Sequence, residues 1–145
     1  MTPRYSRTQM GWVIIAIVLI AVLVLVYVLI FHEFLWIRLT VAIGLVSALV
    51  LFASLTVVGY ETYLEIRFGI GLVRKRFVFK DIQSCKKVRN SWAYGFGIRI
   101  IPGGWLYNVS GLDAVELQMK DGKKYRIGTD VPDELMRFLQ QKIGI

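Results

Sequence analysis

The chain changes character along its length: its first third is continuously apolar, and the remainder alternates. Residues 12–31 are twenty apolar or aromatic side chains without a charge. At 1.5 Å per residue, a helix of that length reaches about 30 Å, the thickness of a bilayer's hydrocarbon core. Its many Val and Ile residues disfavour a helix in water. In lipid every backbone group must pair within its own segment, so a helix is predicted. Residues 39–59 form a second charge-free run. The short connection 32–38 makes the pair an antiparallel hairpin of two membrane spans. A secretory signal does not fit, since its apolar core would be about 7–15 residues before an A-x-A site. Trp12, Trp36 and Tyr60 fall at span ends, where amphipathic rings settle at the headgroup level. Gly44-x-x-x-Ala48, with Ser47 beside it, is a small-xxx-small pattern in the second span. It predicts close packing on the first span; its alternative use is homo-oligomerisation or docking on a partner.

Residues 61–145 alternate. Leu64, Ile66 and Phe68 point one way and Glu65 and Arg67 the other, as in a strand. Further strands are predicted over 72–79, 82–89, 94–101, 104–109, 115–120 and 123–128, punctuated by Gly69-Ile-Gly71, Asn90-Ser91, Pro102-Gly-Gly104 and Ser110-Gly111. That makes seven. In the last hairpin a three-residue loop, Lys120-Asp121-Gly122, pairs Leu117 with Tyr125, Val115 with Ile127 and Glu116 with Arg126. A one-residue slip would turn every side chain to the wrong face. The chain then ends in a helix, with Asp130 expected as N-cap and Pro132 in the first turn. Leu135, Phe138, Leu139 and Ile143 form its apolar stripe, predicted to seal the sheet.

Composition fits a membrane protein: of 145 residues 56% are apolar, and 18 basic against 10 acidic residues give +8. Arg4 and Arg7 before the first span, and Arg67, Arg74, Lys75, Arg76 and Lys80 after the second, outweigh Arg38 in the turn. This excess puts both termini in the cytoplasm. Two regions follow: a hairpin over 1–60 and a cytoplasmic domain over 61–145. Cys85, the single cysteine, excludes an intrachain disulfide and a multi-cysteine metal site, and it has no neighbouring base. His32, the single histidine, reads as an interfacial turn residue. No paired carboxylates or nucleophile–base pair appear, so neither catalysis nor a cofactor or metal is expected. Asn108-Val-Ser110 matches a glycosylation acceptor, but a cytoplasmic domain does not meet that machinery. Gly69-x-Gly71 and Gly95-x-Gly97 lack the strand-to-helix setting of a phosphate loop and read as tight turns.

Seven strands and a terminal helix give the order of a pleckstrin-homology (PH) domain. Tyr94-Gly-Phe-Gly-Ile98-Arg99, Gly104-Trp-Leu-Tyr-Asn-Val-Ser-Gly111, Val115-Glu116 and Arg126-Ile-Gly-Thr-Asp130 carry the likeness. On them the chain resembles small bacterial membrane proteins with two N-terminal transmembrane helices and a PH-like domain. The resemblance implies a transmembrane hairpin followed by an antiparallel β-sandwich or barrel capped by one C-terminal helix, in the inner membrane. It implies a tethered binding or adaptor module; the alternative is an accessory or structural subunit assembled through its spans.

Two surfaces are candidates for that binding. Arg74, Lys75 and Arg76 on one strand and Lys86, Lys87 and Arg89 on the next form a basic cluster, and the two strands are expected to pair. Near anionic headgroups each cation gains about 1 kcal/mol. Arg67, Arg74-x-Arg76 and Phe77 are similar to the basic motif of phosphoinositide-binding PH domains. Arg in place of Lys at its first position, and the short Gly69–Gly71 loop, point instead to nonspecific attraction to the inner leaflet. Trp92, Tyr94, Trp105 and Tyr107, set among glycines, form the second candidate, a groove where a partner protein's strand adds. These aromatics could also stack bases, but a domain this small needs them in its core, so no nucleic-acid partner is expected.

Overall fold

The computed structural model describes residues 3–31 and 35–144. A strand β1 (Tyr5–Met10) precedes the first helix α1 (Trp12–Phe31), which is followed by α2 (Leu35–Phe52). The chain continues through β2 (Ser54–Gly59), β3 (Tyr63–Phe68), β4 (Val73–Val78) and β5 (Ile82–Arg89), with a 3-10 turn at Phe79–Asp81. A second 3-10 turn, Trp92–Tyr94, leads into β6 (Gly97–Ile101), β7 (Gly104–Asn108), β8 (Asp113–Met119), β9 (Lys124–Gly128) and α3 (Pro132–Ile143). The expected turn residues His32 and Glu33 lie outside the described residues.

The first helix occupies the predicted 12–31, but the second corrects the expected 39–59. It starts at Leu35 and ends at Phe52, where Ala53 N still bonds Leu49 O at 2.9 Å; residues 54–59 are strand. Ser54-Leu-Thr-Val-Val is as apolar as the span it follows, so hydropathy cannot mark the change. Pairing decides: β2 lies between β1 and β3 and bonds to both. The helix pair is thus an insertion at the tip of a β-hairpin, Met10 pairing with Ser54 across its base and Gly11 N donating to Ala53 O at 2.7 Å. The boundary drawn at 60/61 falls between two paired strands. Strand β1 escapes sequence reading because it is an edge strand whose one buried side chain is Gln9, which donates to Ser110 O at 2.8 Å. By length and composition α2 can cross a membrane; Trp12–Tyr27 is a shorter apolar stretch of α1.

Two sheets share one core. The first has the order β1-β2-β3-β4 and is wholly antiparallel; the second runs β5-β8-β9-β7-β6. The seven predicted strands are present, two more precede them, and the antiparallel expectation needs one correction: β7 and β9 are parallel. Two local hairpins, β6–β7 and β8–β9, meet side by side there, a non-local event that no alternation encodes. Gly104 and Gly128 permit it. A Cβ on Gly104 would overlap the Lys124 carbonyl oxygen, and one on Gly128 would strike the Asn108 side chain. The expected register of the last hairpin is present: Leu117↔Tyr125, Val115↔Ile127 and Glu116↔Arg126, with Gly122 at φ 87°.

Core side chains come from both sheets, with Phe77 5.0 Å from Tyr125 and 6.4 Å from Tyr107 between ring centres. Helix α3 covers the core against β5 and β8, burying Leu135 and Leu139 fully, as its stripe predicts. Phe138 stacks on Tyr5 of β1 at 5.1 Å. Asp130 is not the N-cap. Val131 holds that position without a side-chain bond, because Asp130 turns to Arg7, whose Nη2 reaches its carboxylate at 2.8 Å. Arg4 and Lys142 both reach Glu61, tying β1 and the end of α3 to the β2–β3 turn.

Candidate functional site

The helix pair meets the sheets at one corner. The β3–β4 turn is fastened to the start of β2 and the last turn of α2: Gly69 N donates to Ser54 O at 2.8 Å and Ile70 N to Val50 O at 3.4 Å. Only glycine fits at 69, where φ is 51° and a Cβ would overlap the Val50 carbonyl. From this turn Ile70 and Leu72 project 71% and 69% exposed. On another side of the same corner lies a cleft of about 640 Å³. Ile14, Ile17 and Val18 of α1 and Leu45, Ala48 and Phe52 of α2 form one wall, and the segment from Gly95 to Arg99 forms the other. Gly97, at φ 94°, carries the backbone past Phe52, and Gly95, at φ 68°, passes the Arg99 guanidinium. Arg99 brings the only charge lining the cleft among the described residues, its Nε donating to Phe96 O at 3.0 Å. A recess of about 140 Å³ shares Ile98 with the cleft and is lined by Arg74 and Lys75.

The predicted basic cluster is divided. Strands β4 and β5 do not pair; β4 bonds to β3 at the edge of the first sheet, and β5 to β8 at the edge of the second. An intervening 3-10 turn carries the chain from one sheet to the other, so the expected hairpin is never formed. Arg76 and Arg67 converge on Glu65, which is fully buried, and Arg76 also lies 5.3 Å from the Tyr63 ring centre. Burial alone would push the Glu65 carboxyl up, but the hydrogen bonds from Arg76 and Arg67 outweigh it and hold it below the usual range. Glu116 repeats the arrangement. Burial opposes its charge, and Arg126 and Lys86 hold the carboxyl down. Lys87 reaches Asp133 of α3 at 3.0 Å, Arg74 bonds the Gly71 carbonyl, and Lys75 sits 5.6 Å from the Tyr125 ring centre. Arg89 is exposed. The alternation of residues along a strand puts Lys75 on the opposite face from Arg74 and Arg76. These cations therefore serve two buried carboxylates and two sheet edges rather than one plane. The sequence reading paired Glu116 with Arg126 but missed that Glu65 and Glu116 are buried, because charged residues in strand alternation are the signature of an exposed face.

The aromatic candidates also separate. Trp92 is 82% exposed on its 3-10 turn, Tyr94 is half-buried and Trp105 is 40% exposed. Tyr107 belongs to the core, 6.2 Å from the Phe68 ring, and lines the recess beside Arg74 and Lys75. In the second helix Gly44 and Ser47 are exposed, and no described residue lies within 4 Å of a Cβ built on Gly44. The expected packing of these two on α1 does not occur; α2 turns Leu45 and Ala48 that way instead, toward the cleft. Burial pushes the Cys85 thiol up, away from the thiolate a nucleophile needs. Among the described residues no group of three or more His, Cys, Asp or Glu is placed to hold a metal ion. No protein-family model matches the chain, and no curated protein sequence matches it.

Proposed function

We propose that this protein is a non-catalytic, membrane-anchored binding module. Helices α1 and α2 cross the inner membrane as a hairpin, both termini lie in the cytoplasm, and a PH-like double sheet engages a partner protein, the anionic inner leaflet or both. One observation carries the reading: a helix with no buried residue, apolar throughout most of its length, runs directly into a central strand of the sheet. Water would not leave such a surface uncovered. The exposed Trp12 and Trp36 sit at helix ends where headgroups would meet them. The PH-like assignment draws on the shared core of two sheets and the sealing helix; strands β1 and β2 and the parallel pair are departures from it.

Topology is the test. In a Cys85→Ser background, a cysteine at Glu33 should react with a membrane-impermeant thiol reagent on intact cells, and one at the exposed Asp121 should react only after permeabilisation. The opposite pattern overturns the orientation, and release of the protein by alkaline carbonate overturns the membrane reading altogether. The alternative of a subunit assembled through its helices has its own support in the exposed Gly44 and Ser47, turned away from α1. Cysteine at Ser47 that crosslinks within native membranes, while the sheets crosslink to nothing, would favour it.

A further inference from the structure

The cleft at the base of the helices has a shape and a charge that together define an occupant. Its volume, about 640 Å³, lies within the range of sites that enclose a small molecule. One wall is apolar and belongs to the early turns of α1 and the last turns of α2. At the other wall stands Arg99, exposed and in no ion pair among the described residues. Its Nε is already committed to the Phe96 carbonyl, which fixes the guanidinium plane and leaves the two Nη groups to bind. Such a fork matches phosphate oxygens. Arg74 and Lys75 line the recess next to it, and among the described residues no carboxylate lines either space, so the local field favours an anion.

We propose that this cleft holds one anionic phospholipid, its acyl chains against α1 and α2 and its phosphate on Arg99. The inference rests on the membrane reading above and goes beyond it: a general basic surface would attract any anionic leaflet, whereas this is a bounded site for a single lipid. A soluble anion would gain nothing from the helical wall, and an uncharged lipid would leave Arg99 unused. A headgroup here lies between the helices and the sheets, so its occupancy holds the two at one angle.

The test uses the full chain in nanodiscs of equal phosphatidylglycerol and phosphatidylcholine, released into mild detergent and read by native mass spectrometry. The expected result is one retained phosphatidylglycerol per chain. Arg99→Gln should lose about tenfold of the preference for it over phosphatidylcholine, the order expected for one charge-assisted contact. Ala48→Trp, which fills the apolar wall, should lose retention of either lipid, and Arg137→Gln on α3 should change nothing. Equal retention of both lipids by the native chain, an Arg99→Gln variant that keeps its preference, or a second copy of the chain in place of lipid would each overturn the proposal. Carbonate extraction separates the two levels. A protein that resists extraction but retains no lipid refutes this site alone; one that is extracted refutes the membrane reading and the site with it.

Discussion

Gly104→Ala should damage the fold out of proportion to its size. The added methyl would sit 2.6 Å from the Lys124 carbonyl carbon and 3.0 Å from its Cα, besides overlapping the oxygen. The overlapped oxygen sets the limit; with carbon contacts preferring about 3.5–4.0 Å, β7 must withdraw from β9 by roughly 1.5 Å. No side chain can yield instead, because every atom in the way is backbone. Forced overpacking costs about 1–3 kcal/mol. Withdrawal also weakens the bond from Lys124 N to Gly103 O, 3.1 Å here, for about another 1 kcal/mol. A total near 3 kcal/mol should lower the melting temperature of the full chain in detergent, followed by the circular dichroism of the sheets, by about 10 °C. Gly44→Ala is the comparison. It adds the same methyl on a helix with no described residue within 4 Å, and replacing glycine in a helix should leave stability equal or raise it by up to about 1 kcal/mol. If the two variants melt alike, the close parallel pairing of β7 and β9 is wrong.

Leu139→Ala, at a fully buried position of α3, should cost about 2–5 kcal/mol in the same melts, and an unchanged melting temperature would mean that α3 does not seal the core. Glu65→Gln should cost about 3 kcal/mol, near the lower end for breaking a buried pair because Arg67 and Arg76 can turn to water. The folded carboxyls of Glu65 and Glu116 bind protons less readily than unfolded ones, so protonation favours the unfolded chain. Their stabilisation is therefore full above the ordinary value of 4.5 and is lost as pH falls through the lowered folded values. An acid titration of stability should be shallower in Glu65→Gln, and an unchanged slope would refute the clamp.

What the sequence discloses is local chemistry. The register of Leu117 on Tyr125 follows from the alternation of its two strands and from a glycine at the position of the loop that needs positive φ. The seal made by Leu135 and Leu139 follows from helical period. Hidden features are those decided by a distant partner. Thr56, Val57 and Val58 suit a helix in lipid and a central strand equally well, and only β1 and β3 choose between them. Lys86 looks like one of six cations until Glu116 is found opposite it in the sheet. The cleft was illegible for the same reason: Ala48, Phe52 and Arg99 come together only through the fold, and no spacing announces them.

The insertion of the helices at a hairpin tip has a consequence for dissecting the protein. A chain beginning at residue 61 would lack β1 and β2, and with them the strand that pairs along Leu64, Ile66 and Phe68, all buried in the core. Leu55 and Val57 would leave a gap in that core, and β3 would become an edge. Such a fragment should not fold. Deleting 12–52 while keeping everything else is a different matter. Met10 and Ser54 already pair, and Gly11 and Ala53 already face each other across a 2.7 Å bond. Joined directly, Gly11 and Ala53 make a two-residue hairpin loop with glycine first, the arrangement of a type II′ turn. The shortened chain loses the packing of Phe52 on Phe68, 5.8 Å between ring centres, but keeps both sheets, the ion-paired carboxylates and α3. It should be soluble without detergent and melt cooperatively, while the fragment from 61 aggregates or shows no transition. A fragment from 61 that folded alone would place β1 and β2 outside the essential sheet and refute this account of how the helices join it.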